Sequence, residues 1–222
     1  MKITILNIPQ HNTLSYLESL LDGLKSHKRF QDANITVISE AINENLKDFC
    51  HLDSLPINFI PQLPSNPKFI DEYVSGSDIA FVMCNTTDND PDGYTFDIVN
   101  RLSEMERKPK YIVAECMHDS ERTRILQEGA NAIIRPTRTY PSIFIRSIAS
   151  LGCEEILENL IDFDSKYTTL EINDEMIWKD VYFQYYSEYG AAIGYYDRNN
   201  TTHLNPKFSD LCDIHKIFFM NR

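Results

Sequence analysis

The sequence predicts an α/β fold with a doubly wound parallel sheet, a crossover helix and a small C-terminal α+β lobe. Six short runs of mainly apolar residues occur along the first two thirds of the chain, at 3–6, 35–39, 57–60, 79–83, 111–115 and 132–135. Runs this continuously apolar are typical of strands buried on both faces of a parallel sheet. Amphipathic segments lie between them, and this alternation favours consecutive βα units.

Four helices are predicted between the strands, at 13–26, 67–74, 94–105 and 118–128. The first carries a stripe of leucines on one face, and the last ends before Gly129, a common type of C-terminal cap. Asp119 and Ser120 are expected to lie in the first turn of that last helix and to cap it. Repeated βα units of this kind predict a Rossmann-like sheet.

The pattern changes after residue 135. A long helical stretch is predicted at 140–163, broken near 151–152, with more apolar surface than a solvent-facing helix needs. It either packs against its own domain or forms a dimer interface. From residue 166 the chain restarts as a small lobe, with strands at 168–172, 191–197 and 215–220 and a helix at 176–186. The predicted domains are therefore 1–137, a crossover segment at 138–165, and 166–222.

Charge and composition exclude several classes of protein. The formal net charge is −12, from 21 Lys and Arg against 33 Asp and Glu, which disfavours nucleic acid and anionic lipid as partners. No apolar run is long enough to span a membrane. The five cysteines are far apart in sequence, so neither a zinc site nor a disulfide framework is predicted.

An acidic loop follows the fourth predicted strand. Asp88, Asp90 and Asp92 precede Gly93 with the spacing that opens an EF-hand loop, but Val99 stands where that loop needs a bidentate glutamate. The EF-hand is therefore rejected. Because the carboxyl ends of parallel strands meet at one edge, a divalent-cation site is predicted there from Asp88, Asp90, Asp92 and Glu115, with Ca²⁺ as the candidate ion. The alternative is that these loop acids are merely solvated.

The turn after the first strand indicates whether the predicted sheet can bind a dinucleotide. Residues 7–12 contain no glycine and include Pro9, so the close backbone approach to a pyrophosphate is lost and NAD binding in the usual pose is disfavoured. Candidate ligand contacts at this crevice are Asn7, Gln10 and Asn12. Glu40, after the second strand, could hold the ribose of an adenine mononucleotide, or it is a solvated acid.

The stretch IVAECMHDSERTRILQEGANAIIRPTRTYPSIFIRSI at 112–148 resembles the RCK (regulator of K⁺ conductance, or TrkA-N) domain of prokaryotic potassium channels and transporters. The matching features are Glu115 at a strand end, Gly129-Ala130, the strand residues Ile133-Ile134, and Arg135-Pro136 before a crossover helix. The C-terminal lobe is similar to a diverged TrkA-C lobe, a resemblance carried by Trp178, Gly190, Gly194, Asn205-Pro206 and Asp213.

This resemblance implies a cytoplasmic, non-catalytic gating module at the inner face of the cell membrane. Such domains form homodimers through the crossover helix, assemble in many channels into an octameric gating ring, and transmit ligand binding to a potassium-channel pore. The first strand begins so close to Met1 that an excised channel domain is expected. The alternatives are a free-standing regulatory subunit of a potassium uptake transporter and an NAD-dependent oxidoreductase. Catalysis is disfavoured because the sequence has neither a glycine loop nor a G-x-S-x-G elbow.

Basic residues follow the last predicted strand. Arg135, Arg138 and Arg146 stand out in an otherwise acidic chain. Arg135 is a candidate contact for an anionic ligand, and pairing with acids across a dimer interface is the alternative.

Overall fold

The computed structural model describes residues 1–8, 13–42, 57–149, 157, 167–199 and 201–220. The chain divides into two compact units, Met1–Phe163 and Asp164–Arg222. The finer division at residues 137 and 165 stays a prediction. In the described part of the chain, no helix is both long and apolar enough to cross a membrane.

The first unit is built on a six-stranded sheet in the order β3-β2-β1-β4-β5-β6, in which every pair is parallel. Its strands are β1 (Lys2–Leu6), β2 (Asn34–Ile38), β3 (Ile57–Ile60), β4 (Ile79–Val82), β5 (Tyr111–Glu115) and β6 (Ala132–Ile134). The strand order turns back at β1, whose neighbours are β2 and β4. The predicted doubly wound, Rossmann-like sheet is confirmed.

The helices of this unit are α1 (Thr13–Ser26), α2 (Pro67–Phe69, continued by a π-helical turn at Ile70–Val74), α3 (Pro91–Glu104), α4 (Arg122–Glu128) and α5 (Pro136–Ala149). The start of α3 lies three residues before the predicted start, because Asp90 caps the helix and Pro91 suits its first turn. The start of α4 lies four residues after the predicted start. Asp119 and Ser120 therefore precede the helix, and their predicted capping role is wrong.

The sheet is buried on both faces. On one face Ile3 and Ile5 of β1 pack with Leu17 and Leu21 of α1. On the other face Ala114 of β5 packs with residues of α3 and α4. Successive residues of a strand point to opposite faces, which is why each central strand needs an almost continuous apolar run.

The second unit is a four-stranded antiparallel sheet in the order β7-β10-β8-β9, with one helix on it. Its elements are β7 (Tyr167–Ile177), α6 (Trp178–Tyr189), β8 (Ala191–Tyr196), β9 (Thr202–Leu204) and β10 (Leu211–Met220). Trp178 and Val181 of α6 pack on Ile214, Ile217 and Phe219 of β10. This lobe confirms the predicted C-terminal α+β unit, although β9 was not predicted.

Candidate functional site

The carboxyl edge of the six-stranded sheet gathers most of the predicted site residues. Asn7 follows β1, Glu40 follows β2, the acidic loop follows β4, and Glu115 ends β5. Open α/β sheets bind ligands at this edge, in the crevice where the strand order reverses, which here lies between β1 and β4.

Asn7 ties three strands together at the reversal point. Its φ is +66°, a left-handed conformation that asparagine tolerates better than most residues. Its backbone N–H donates to the carbonyl of Ile38 at 2.8 Å, and its side-chain amide donates to the carbonyl of Met83 at 3.4 Å. Asn7 is therefore buried and engaged within the sheet, and its predicted role as a ligand contact stays a prediction.

The remaining predicted contacts of the nucleotide crevice are less constrained. Glu40 is exposed in the turn after β2. The neighbouring Ser39 is fully buried, and its hydroxyl accepts hydrogen bonds from the backbone N–H groups of Ile8 and Ala41, both at 3.2 Å. Gln10 and Asn12 lie outside the described residues.

Asp88 and Asp90 shape the start of α3. The Asp88 carboxylate accepts the Asp90 N–H at 3.0 Å, and the Asp90 carboxylate accepts the Gly93 N–H at 3.0 Å as the N-cap of the helix. Gly93 is required for this cap, since a Cβ there would overlap the Asp90 carboxylate. The spacing that imitates an EF-hand is thus a turn followed by a helix cap.

Asp92 is a buried structural acid. Only 1% of its surface is exposed. Its carboxylate accepts the backbone N–H groups of Met117 at 2.6 Å and His118 at 2.8 Å, and it lies 2.7 Å from Nδ1 of the His118 ring. It therefore fastens the start of α3 to the loop that follows β5.

Glu115 lies on the other side of the sheet. Its Oε2 accepts the backbone N–H of Cys84 at 3.0 Å, and its Oε1 accepts the Tyr16 hydroxyl of α1 at 3.3 Å. Burial raises the pKa of the Glu115 carboxyl, against the lowering effect of these two hydrogen bonds. Burial, followed by the nearby Glu115 charge, raises the pKa of Tyr16 to about 12.

The structure does not assemble the four predicted acids into a metal site. Asp92 belongs to α3, which packs on the face that holds Ala114 and Cys116, whereas Glu115 contacts α1 on the opposite face. Adjacent residues of β5 point to opposite faces of the sheet, and the spacing of the acids in the sequence does not reveal that Glu115 and Asp92 lie on different faces. Within the described residues, no group of three or more His, Cys, Asp or Glu side chains is placed to hold a metal ion.

Arg135 is engaged by an acid of its own chain. It donates to one carboxylate oxygen of Asp119 at 2.7 Å, and Arg138 donates to the other at 2.8 Å. The hydrogen bond from Arg135 is the largest of the effects that hold the pKa of Asp119 below its usual range. Binding of an anion by Arg135 would have to compete with Asp119.

The thiols at this edge are poor nucleophiles. Burial raises the pKa of Cys84 to about 12 and that of Cys116 to about 11. Little thiolate is present near neutral pH, and the thiolate is the reactive form. These two residues therefore give no support to a catalytic function.

Sequence reasoning missed Tyr16, which reaches Glu115 from α1. Its only signal was a polar hydroxyl within an otherwise aliphatic stripe. The capping role of Asp90 had a clear signal, an acid directly before a proline at a helix start.

No protein-family model and no curated protein matches the chain. Solved structures that resemble it include the NAD(P)-binding domain of an exopolyphosphatase-related protein from Archaeoglobus fulgidus, at 9% identity and a TM-score of 0.45, covering 67% of this chain and 98% of that one. The TrkA-N domain of the Escherichia coli inner membrane protein YbaL is also similar, at 15% identity and a TM-score of 0.45, covering 65% of this chain and 93% of that one.

Two further structures resemble nearly the whole chain. The GsuK RCK domain has 9% identity and a TM-score of 0.41 over 99% of this chain, and the GsuK channel has 10% identity and a TM-score of 0.48 over 98% of it. This chain spans 44% and 36% of their respective lengths. The structures that it resembles thus include the TrkA-N and RCK domains indicated by the sequence. At these identities the likeness concerns the fold alone.

Proposed function

We propose that this chain is a non-catalytic regulatory domain of a potassium channel. In this proposal two copies pair through α5, and a ligand at the carboxyl edge of the sheet changes the paired state and thereby the pore. The ligand classes proposed are a divalent cation and an adenine nucleotide. Such coupling needs a ligand that binds two conformations with different affinity, and it needs no chemical step.

The observation that carries this proposal is the uncovered apolar face of α5. In the described unit no residue of α5 is buried. Four of its large apolar side chains are more than half exposed: Tyr140 67%, Phe144 56%, Ile145 68% and Ile148 82%. Residues 140, 144 and 148 recur at intervals of four, so they share one face of the helix. An exposed apolar face of this kind supports the proposal of a protein contact.

The position of α5 supports pairing between copies. It follows β6 directly, where the resemblance to RCK domains implies the crossover helix that joins two copies. Tyr140 and Phe144 already pack edge to face, with ring centroids 5.2 Å apart, so part of this surface is preformed.

Self-association is tested by equilibrium sedimentation of the chain and of the double variant Ile145→Glu, Ile148→Glu. The wild type is expected to sediment as a dimer, at twice the 25.8 kDa mass of the chain. The double variant is expected to sediment as a monomer with an unchanged circular dichroism spectrum, because neither side chain is buried within its own unit. Leu63→Glu is the control, since Leu63 is also exposed but lies outside α5.

A monomeric wild type, or a double variant that remains dimeric, would contradict the proposed pairing. Coupling to a pore is a separate step. It is tested by potassium efflux from vesicles that contain a channel pore fused to this chain, with and without Ca²⁺ or ATP. A potassium flux that neither ligand changes would contradict the proposed role in a channel, and it would leave the conclusion from sedimentation unaffected.

Two alternatives keep the same fold. A free-standing regulatory subunit of a potassium uptake transporter would show the same pairing and ligand response, but on a partner's pore. An NAD-dependent oxidoreductase would need NAD to bind at a first turn that contains no glycine.

A further inference from the structure

A cavity of about 770 Å³ opens beside the ends of β5 and β6. Its walls come from α1, from the ends of the two strands and from the first half of α5. It lies at the same carboxyl edge of the sheet, where Thr86 of the loop after β4 and Glu115 line it, whereas Asn7 and Glu40 do not. Its volume lies within the range of small-molecule binding sites.

The walls of this cavity are mainly apolar. Met117, Ile134, Pro136, Pro141 and Ile143 line it, together with the tyrosines of α1 and α5 and three threonines. All the lining residues belong to the described part of the chain, and they include no lysine, arginine or histidine. Glu115 is the only lining residue with an acidic carboxyl group.

Glu115 is held in a fixed position at the cavity wall. Each carboxylate oxygen has one protein donor, the Cys84 N–H on Oε2 and the Tyr16 hydroxyl on Oε1. Each oxygen can still accept another hydrogen bond, because a carboxylate has about four acceptor sites. A carboxylate removed from water without a cationic partner is unfavourable, so this group would be stabilised by a cation.

We propose that this cavity binds a small organic cation, with a protonated amine on the Glu115 carboxylate and an apolar body against the walls of α1 and α5. Charge complementarity selects the amine, since the lining holds one carboxyl group, that of Glu115, and no lysine, arginine or histidine. Tyrosine rings among the lining residues suit a cation as well. A bare divalent ion would not use the apolar walls, which favours an organic ligand over Ca²⁺ here. This site goes beyond the proposed regulatory function, and of its lining residues Tyr140 also belongs to the face of α5 that is proposed to pair two copies.

The proposal is tested by isothermal titration of the whole chain with three compounds that share a phenyl group and differ in charge: phenethylamine, phenethyl alcohol and phenylacetate. Phenethylamine is expected to bind with a stoichiometry of one per chain. The alcohol is expected to bind at least about tenfold more weakly, because it lacks a charge-assisted bond. Phenylacetate is expected not to bind, because its own carboxylate would be repelled by that of Glu115.

Two variants locate the amine. Glu115→Gln keeps the size of the side chain and removes its charge, and it is expected to weaken phenethylamine binding by about tenfold or more while the alcohol is unaffected. Glu104→Gln is the matched control, since Glu104 is exposed at the end of α3 and away from the cavity lining. It is expected to bind like the wild type.

A second measurement on the wild type does not depend on folding of the variant. Burial raises the pKa of Glu115, so the carboxyl is protonated and uncharged at low pH. Phenethylamine affinity is therefore expected to rise as the pH increases above the range in which an ordinary glutamate ionises, whereas the affinity for the alcohol stays constant. The proposal is overturned by equal binding of amine and alcohol, by an affinity without this pH dependence, or by no binding of phenethylamine in the millimolar range.

Discussion

Replacement of Asp92 by asparagine tests whether this acid is structural. In the native fold the Asp92 carboxylate accepts two backbone N–H groups, at 2.6 and 2.8 Å, and lies 2.7 Å from the His118 ring. Asparagine has one acceptor oxygen, so it can keep one of the two backbone bonds, and its NH₂ group faces the donor of the other. The His118 ring is exposed and can form hydrogen bonds with water instead, so losing its contact with residue 92 is expected to change the stability little.

The expected loss of stability follows from these contacts. A hydrogen bond to a charged group contributes about 1.5–3 kcal/mol, so losing one bond and weakening the other is expected to cost about 2 kcal/mol. For a chain of this size that corresponds to a fall in melting temperature of roughly 4–8 °C. The matched control is Asp88→Asn, at an exposed acid of the same loop, which is expected to stay within about 0.5 kcal/mol of the wild type.

The assay is urea unfolding followed by far-ultraviolet circular dichroism. The only tryptophan, Trp178, lies in the second unit, so its fluorescence reports that unit and distinguishes its unfolding from that of the first. If Asp92→Asn unfolds at the same urea concentration as Asp88→Asn, Asp92 does not fasten α3 to the loop after β5.

Three further changes probe the same unit by urea unfolding. Gly93→Ala is expected to stabilise the fold by about 1 kcal/mol only in a protein that already carries Asp90→Ala and so lacks the cap. In the wild type the added Cβ would displace the Asp90 carboxylate and cancel this gain. An equal effect of Gly93→Ala in both proteins would refute the close contact. Gly129→Ala is expected to destabilise by more than about 1 kcal/mol, since φ is +129° and a Cβ would lie 2.8 Å from that of Ser103; an unchanged midpoint would contradict this strain. Burial raises the pKa of Glu115 in the folded state, so the wild type loses stability as the pH rises from the unfolded pKa towards the folded one. The stability of Glu115→Gln relative to the wild type is therefore expected to be greater at about pH 7 than at about pH 4. If the two proteins show parallel dependence of stability on pH, the pKa of Glu115 is not raised.

Much of the first unit could be predicted because local and tertiary signals agree. The bounds predicted for α1 are those of the structure, and each central strand lies within one residue of its predicted range. Buried parallel strands require continuous apolar runs, and those runs are visible in the sequence. The strand β9 was missed because it has only three residues and only one of them, Leu204, is apolar, so it shows no period.

The site was harder to predict, because burial and strand face are tertiary properties. Asp88, Asp90 and Asp92 look alike in sequence, yet one shapes a turn, one caps a helix, and one is buried under a loop from β5. Glu115 was correctly placed at the end of β5, but its side chain faces α1 and the cavity rather than those acids. The Glu115 side chain is separated from these acids because successive residues of β5 point to opposite faces of the sheet. Which face a residue points to is known only once the strand has been placed in the fold.

The most direct measurement of ligand sensing is a thermal-shift titration of the chain with Ca²⁺, Mg²⁺, ATP, ADP, AMP and NAD. A ligand that binds only the folded state raises the melting temperature by mass action. A regulatory domain is expected to give a saturable rise with one class, either the divalent cations or the adenine nucleotides. If the folded chain responds to none of these compounds at any concentration tested, it does not sense the proposed ligands.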